Sequence, residues 1–181
     1  MSIGKDYLET AIRRLKYYKE LGDKTFVQLN EWDFHYQPND ESNSIATIIQ
    51  HMAGNMLSRW TNFLTEDGEK EWRKRDEEFE IHQYTKQELI ELWEKGWTCF
   101  LDTLSGLKKK DLKKKVSIRQ EALTVIDAIN RQLAHYPYHI GQIIFLAKII
   151  KNKSWQNLSI PKGNSQAYNQ SAEVKDPAKK Y

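Results

Sequence analysis

The sequence predicts an all-α protein, a four-helix bundle with long connections between helices two and three and between helices three and four. Three observations lead there. Four long segments repeat apolar residues at steps of three and four, the period of one helix face. Proline (4) and glycine (8) are sparse among 181 residues, which disfavours a turn-rich β architecture. Hydrophobic residues make up 39%, which suits a single core in a chain of one-domain length.

The first segment, from about Gly4 to Asn30, sets Leu8, Ala11, Ile12, Leu15 and Tyr18 on one face and resumes at Phe26 and Leu29. Gly22 lies between the two stretches and suggests a bend. A connection follows from Trp32 to Asn43, holding the turn cluster Gln37-Pro38-Asn39-Asp40. Ser44 is the N-cap of the second helix. Its stripe is Ile45, Ile49, Met52, Met56, Trp60 and Phe63. Residues 66–80 carry eight acids, four bases and few apolar groups, the pattern of a solvated loop or a short exposed helix.

Thr85 and Glu88 form a capping box ahead of the third helix. Leu89, Leu92, Trp93, Gly96, Phe100 and Leu104 face inward, and Ser105-Gly106 stops it. Six lysines and one aspartate over 108–115 predict a solvated charged loop; 116–123 is ambiguous, a short extended connection being one reading of it. Thr124 caps the fourth helix, with Asp127 at the positive end of its dipole. Val125, Ile129, Leu133, Tyr136, Ile140, Ile144 and Ala147 form its stripe, to about Lys151, with a kink expected at Pro137. The two later connections are each about twenty residues, against two to eight in simple bundles. They are crossovers or functional covers. Residues 1–169 form one domain on this pattern, and the polar stretch 170–181 is expected to be a disordered tail.

Composition narrows the function. Lys and Arg total 28 against 25 Asp and Glu, and a net charge of +3 does not suit a dedicated nucleic-acid binder. No apolar run approaches the roughly 20 residues of a membrane-spanning helix. The start, Met1-Ser2-Ile3-Gly4-Lys5-Asp6, has no apolar signal-peptide core. The single cysteine, Cys99, has no internal partner, which fits a reducing, cytoplasmic location. Among Trp97, Phe100 and Leu101 it reads as a small core residue. Trp60, Trp93 and Trp97 read as core or dimer-interface rings. Trp72 and Trp155 fall in connections and are expected to roof a pocket together with residues 158–163.

The chemistry lies in the histidines. His35 and His82 fall in polar connections. His135 and His139 stand four apart, so both rings share one helix face and can share one metal ion. Gln132, Gln142 and Arg131 flank that side. His51 lies on the second helix at the edge of its apolar stripe, with Thr47 and Asn55 one turn away. A His-x3-His pair alone is common on ordinary helix surfaces. A third histidine bordering the core on another helix favours a site, because buried imidazoles need partners.

The tracts Ile48-Ile49-Gln50-His51-Met52-Ala53-Gly54-Asn55 and His135-Tyr136-Pro137-Tyr138-His139-Ile140-Gly141-Gln142-Ile143 resemble the two histidine motifs of the DinB/YfiT-like superfamily. Asn55-Met56-Leu57-Ser58-Arg59-Trp60, Asp67-Gly68-Glu69-Lys70-Glu71-Trp72 and Leu158-Ser159-Ile160-Pro161-Lys162-Gly163 are similar to an uncharacterised bacterial subgroup of it. The resemblance covers about residues 5 to 169. It implies a four-helix bundle with a long crossover between helices two and three. It implies one divalent metal held by His51, His135 and His139, and a homodimer. Characterised members include thiol-dependent S-transferases using bacillithiol, mycothiol or glutathione, and a thiol-dependent isomerase.

Three histidine ligands leave a coordination position open, which is the pattern of catalytic sites. Such an ion lowers the pKa of water or a thiol and yields a nucleophile near neutral pH. The expected function is therefore a metal-dependent enzyme of thiol S-transferase type, acting on a small-molecule substrate with a low-molecular-weight thiol. The alternatives are a non-catalytic metal-binding, stress-response bundle and a metal-dependent hydrolase. Zinc or nickel suits the donor set. Asn55, Arg131 and Gln142 are the candidate substrate-binding residues. Asp127, four residues before Arg131, is its alternative partner. Gly141 is expected to allow close helix packing. No side chain is assigned as a catalytic acid, base or nucleophile, and neither nucleic acid nor membrane is an expected partner.

Overall fold

The computed structural model describes residues 2–181. The chain is predominantly helical. Four long helices, α1 (Ile3–Val27), α3 (Ile45–Trp60), α4 (Lys86–Gly106) and α5 (Val125–Lys151), correspond to the four periodic segments. Two short ones, α2 (Glu31–His35) and α6 (Ser165–Gln170), lie in the connections. The caps fall where expected. The Ser44 and Thr124 hydroxyls accept from the Thr47 and Asp127 N–H groups, and Thr85 and Glu88 close a reciprocal capping box. α3 lies against α4 and α5, and α1 against α5 and α4, so the four enclose one core. Trp60, Trp93, Trp97, Tyr136, Phe34 and Phe100 are its largest fully buried side chains. Each apolar ring removed from water supplies roughly 1.5–3 kcal/mol.

α1 and α5 are each continuous over their periodic segments. α1 runs without interruption through Gly22, whose missing side chain leaves room for the Trp93 ring packed against it. That ring is held by its own N–H, which donates to Asp23 Oδ1 at 2.7 Å. α5 continues through Pro137 to Lys151. Gly141 faces open space and packs against no helix.

Residues 116–123, ambiguous in the sequence, belong to an antiparallel hairpin of β1 (Lys115–Ile118) and β2 (Glu121–Thr124). Its turn residues, Arg119 and Gln120, both have left-handed backbones, with φ of 54° and 65°. That is the geometry of a two-residue hairpin turn normally built from Asn-Gly. The strain is met by Asp67, whose carboxylate accepts from the Ser117 hydroxyl and from the Arg119 and Gln120 N–H groups. Desolvation would raise the Asp67 pKa, but those bonds, with one from the Glu69 N–H, hold it well below the usual carboxylate range.

The charged connection 66–80 contains a short exposed helical turn, Asp76–Phe79, one of its two expected forms, but it is not solvated throughout. It folds back over α3, and Lys70 and Arg73 are buried. Its turn Asp76–Phe79 lies on that helix. Polar groups at the end of α3 receive it: Ser58 Oγ donates to the Gly68 carbonyl and accepts from the Lys70 N–H, and Arg59 donates to the same carbonyl. With the core on one side and this cover on the other, α3 keeps only Gly54 and Leu57 short of full burial. The stretch 170–181, whose composition suggests disorder, runs back along α1 in the structure. Arg14 grips Asp176 through two hydrogen bonds of 2.6 and 2.7 Å, and Ala178 is fully buried.

Candidate metal centre

α3 and α5 meet side by side, and their polar edges face each other across the seam. Helical spacing puts His135 and His139 one turn apart on α5, and packing brings His51 of α3 against them. The Nε2 atoms of His135 and His139 are 3.0 Å apart, and those of His51 and His135 3.5 Å. Ligand nitrogens of all three lie within 4.8 Å of one another. Nitrogens bound to one ion at about 2.1 Å, at angles from about 90° to 110°, stand roughly 3.0–3.4 Å apart. His51 is buried and the other two half-buried. His35 and His82 lie apart from the cluster and face the carbonyls of Tyr84 and Glu77.

What fixes the rings is the other nitrogen of each. His51 Nδ1 is 3.1 Å from Glu78 Oε2. An ionised carboxylate has no proton to give, so the imidazole is the donor. His139 Nδ1 lies 2.7 Å from Gln142 Oε1, and His135 Nδ1 lies 3.3 Å from Gln132 Oε1. The Gln142 amide NH2 donates to the Tyr138 hydroxyl, which sets the amide's orientation. With hydrogen on every Nδ1, all three Nε2 atoms present lone pairs to one another.

Proton uptake at neutral pH does not relieve that crowding. Burial, then the neighbouring charges of His139, His51, Arg131 and Arg59, push His135 down to about 3. Burial and His51 push His139 down to about 4, against the opposing bond to Gln142. His135 and His139 thus stay neutral, and with the Nε2 of His51 turned toward them the three imidazoles make the donor set a divalent cation needs.

Glu78 is the residue the sequence did not point to. Burial alone would raise its pKa, but the hydrogen bonds from His51 and Arg73 and the Arg73 charge hold it below the usual range. Arg73 reaches it through Nε at 2.7 Å and Nη2 at 2.9 Å. A Cβ on Gly54, one turn from His51 on α3, would collide with this carboxylate. The available signal was Gly54 itself, a helix-interior glycine beside a histidine. The Phe79 ring lies 4.9 Å from that of His51. The roof is thus Arg73, Glu78 and Phe79, and not the tryptophans. Trp72 is 58% exposed, and residues 157–161 line a separate cavity against α1.

The other expected site residues divide. Asn55 and Arg131 line a cavity of about 220 Å³ that also touches His51 and His135. Asn55 Oδ1 accepts from the buried Tyr136 hydroxyl, which itself accepts from Trp60 Nε1. Arg131 pairs with no carboxylate among the described residues, Asp127 included. Gln142 does not line the cavity; its contact is with His139.

No match to this chain is found among curated proteins or among solved structures. A family model described as a protein of unknown function, DUF1572, matches residues 2–164, nearly the whole chain. The chain with this three-histidine seam belongs to the DUF1572 family.

Proposed function

We propose that the protein is a divalent-metal enzyme of the DinB/YfiT type, a four-helix bundle that activates a small nucleophile in the manner of the thiol S-transferases. His51, His135 and His139 are the metal ligands, and zinc or nickel is the metal. The observation that carries this is the convergence of three Nε2 lone pairs, each fixed by a donor bond from its own Nδ1. The partner of a metal-bound histidine is commonly such a carboxylate or carbonyl oxygen. A divalent ion on three imidazoles with a position left open would lower the pKa of a thiol or water brought to it and supply a nucleophile near neutral pH.

The chain's own residues do the rest. Glu78, anchored by Arg73, holds His51 in one tautomer and orientation. Gln132 and Gln142 do the same for the α5 pair, so Gln142 is a positioning residue. Asn55 and Arg131, on the cavity beside the nitrogens, are the substrate contacts. We also propose a cytoplasmic homodimer acting on a small-molecule substrate. Tyr138, Phe145 and Ile149 are 60%, 65% and 47% exposed along α5 and offer an apolar surface to a second copy.

The test is to purify the protein without a histidine tag, measure bound metals, and titrate low-molecular-weight thiols into the cobalt-substituted form. A ligand-to-metal charge-transfer band that appears with thiol supports the proposal. Chelation that unfolds the helices marks a structural metal instead. Ester or amide turnover independent of thiol marks a hydrolase.

A further inference from the structure

We infer that the cavity beside the three histidines is an oxyanion site, and that the substrate is a small molecule carrying a carboxylate or phosphate group. This deepens the proposed function, on which it rests only for the metal placed next to the anion.

Five of the chain's seven arginines, Arg59, Arg73, Arg75, Arg119 and Arg131, line this one cavity, and none of its lysines does. Arginine is the side chain whose planar fork matches an oxyanion through paired N–H donors. Arg59 and Arg73 are buried walls, and Arg75, Arg119 and Arg131 form an exposed rim.

The carboxylates nearby do not neutralise them. Glu78 is engaged by Arg73 and His51. Glu69 Oε2 is shared, at 3.1 Å from Arg59 and from Arg119 and 3.6 Å from Arg73 Nη1. Arg75 has only Asp76, at 3.9 Å, and its guanidinium lies over the Phe79 ring. Arg131 has no ion pair among the described residues. Two shared carboxylates and a distant third face five guanidinium groups, and low-dielectric walls focus the remaining positive potential into the cavity.

A second observation points to a ligand. The Arg73 side chain is only 2% exposed, yet its Nη1 has no hydrogen-bond partner, with Glu69 Oε2 no nearer than 3.6 Å. A buried charged donor is rarely left unsatisfied, because doing so costs free energy. The wall of a polar cavity is where a ligand oxygen would satisfy it.

Size sets the class. About 220 Å³ is less than the roughly 300–1,000 Å³ of pockets that take drug-sized ligands. That suits an anionic group on a small molecule. An anion held by the guanidinium groups would leave the rest of the molecule beside the Nε2 atoms of His51 and His135, an orientation that favours reaction there.

The experiment is calorimetric titration of inorganic phosphate and, separately, malonate into the zinc-loaded full-length protein at low ionic strength, with sodium chloride at matched ionic strength as control. The expected result is saturable binding of at least one, weakened tenfold or more by Arg119→Glu and by Arg131→Glu, with bound zinc as in the wild type. Phosphate preferred over malonate identifies a phosphorylated substrate; the reverse identifies a carboxylate. Heat no greater than that of chloride, or unchanged affinity in both variants, overturns the inference. Saturable, arginine-dependent binding in a protein that holds no zinc would retain the oxyanion site and remove the metal.

Discussion

The Nδ1–H of His51 donates to Glu78 Oε2 at 3.1 Å, joining α3 to a loop that begins where the helix ends. Arg73 grips the same carboxylate from the other side, so the oxygen that orients the imidazole is itself oriented. A carboxylate behind a histidine also makes its free nitrogen a stronger donor.

Replacing Glu78 with Gln keeps the shape and removes the charge. Metal affinity should fall about 10–100-fold while the helical signal stays near wild type. Competition with a chromophoric chelator measures it. An unchanged affinity would show that the carboxylate does not serve the ligand.

Gly54→Ala separates helix propensity from site geometry. On propensity alone the change would stabilise α3 by up to about 1 kcal/mol. Here the new Cβ meets the Glu78 carboxylate, which two partners hold in place. The expected outcome is overpacking, costing about 1–3 kcal/mol, with metal affinity reduced as in Glu78→Gln. Urea unfolding and metal titration read the two effects; a more stable variant with normal affinity would contradict both.

The metal-free protein should lose stability in mild acid. His135 and His139 have an ordinary value of 6.5 and are held in the fold at about 3 and about 4. As pH drops below 6.5 the unfolded chain takes up protons at both positions and the folded chain does not, so unfolding becomes more favourable. The loss runs from about 6.5 towards 4, where the folded groups begin to titrate. The urea midpoint of chelator-treated protein at pH 7.5 and pH 5 tests this, and His135→Ala should shrink the difference. A midpoint independent of pH would mean that the two rings are not kept neutral.

Tyr136→Phe removes a hydroxyl that accepts from Trp60 Nε1 at 3.1 Å and donates to Asn55 Oδ1 at 3.0 Å, in a fully buried place. Both partners lose their bond, which should cost about 1–3 kcal/mol. Bound metal should stay at the wild-type level. Parallel unfolding and metal analysis check the pair of outcomes.

The helices and the histidine cluster were legible because both rest on periodicity. Steps of three and four mark the buried faces of α1, α3, α4 and α5, and the same period aligns His135 with His139. His51 stood at the edge of its stripe, where a group shared between two helices must lie. The cover was illegible because its burial rests on one particular pairing. Arg73 and Glu78 pair five residues apart and close on His51, a closure that composition cannot express, so 66–80 looked like a segment bound for water. In the tail, too, polar composition does not display a pairing: Arg14 with Asp176 is bidentate across 162 residues. The hairpin lacked its usual Asn-Gly, because Asp67 supplies from another loop what those residues supply locally.

That carboxylate has a consequence for how the sequence can change. A two-stranded hairpin holds poorly by itself in water, and the turn Arg119-Gln120 adopts a backbone that residues with side chains avoid. Its shape is borrowed from position 67. Drift at 67 is therefore tolerable only with compensating drift at 117, 119 or 120, such as a glycine that needs no outside support. Among relatives these distant positions should covary as one set, and wherever the acid is lost, the direction of the rim arginine should be lost with it.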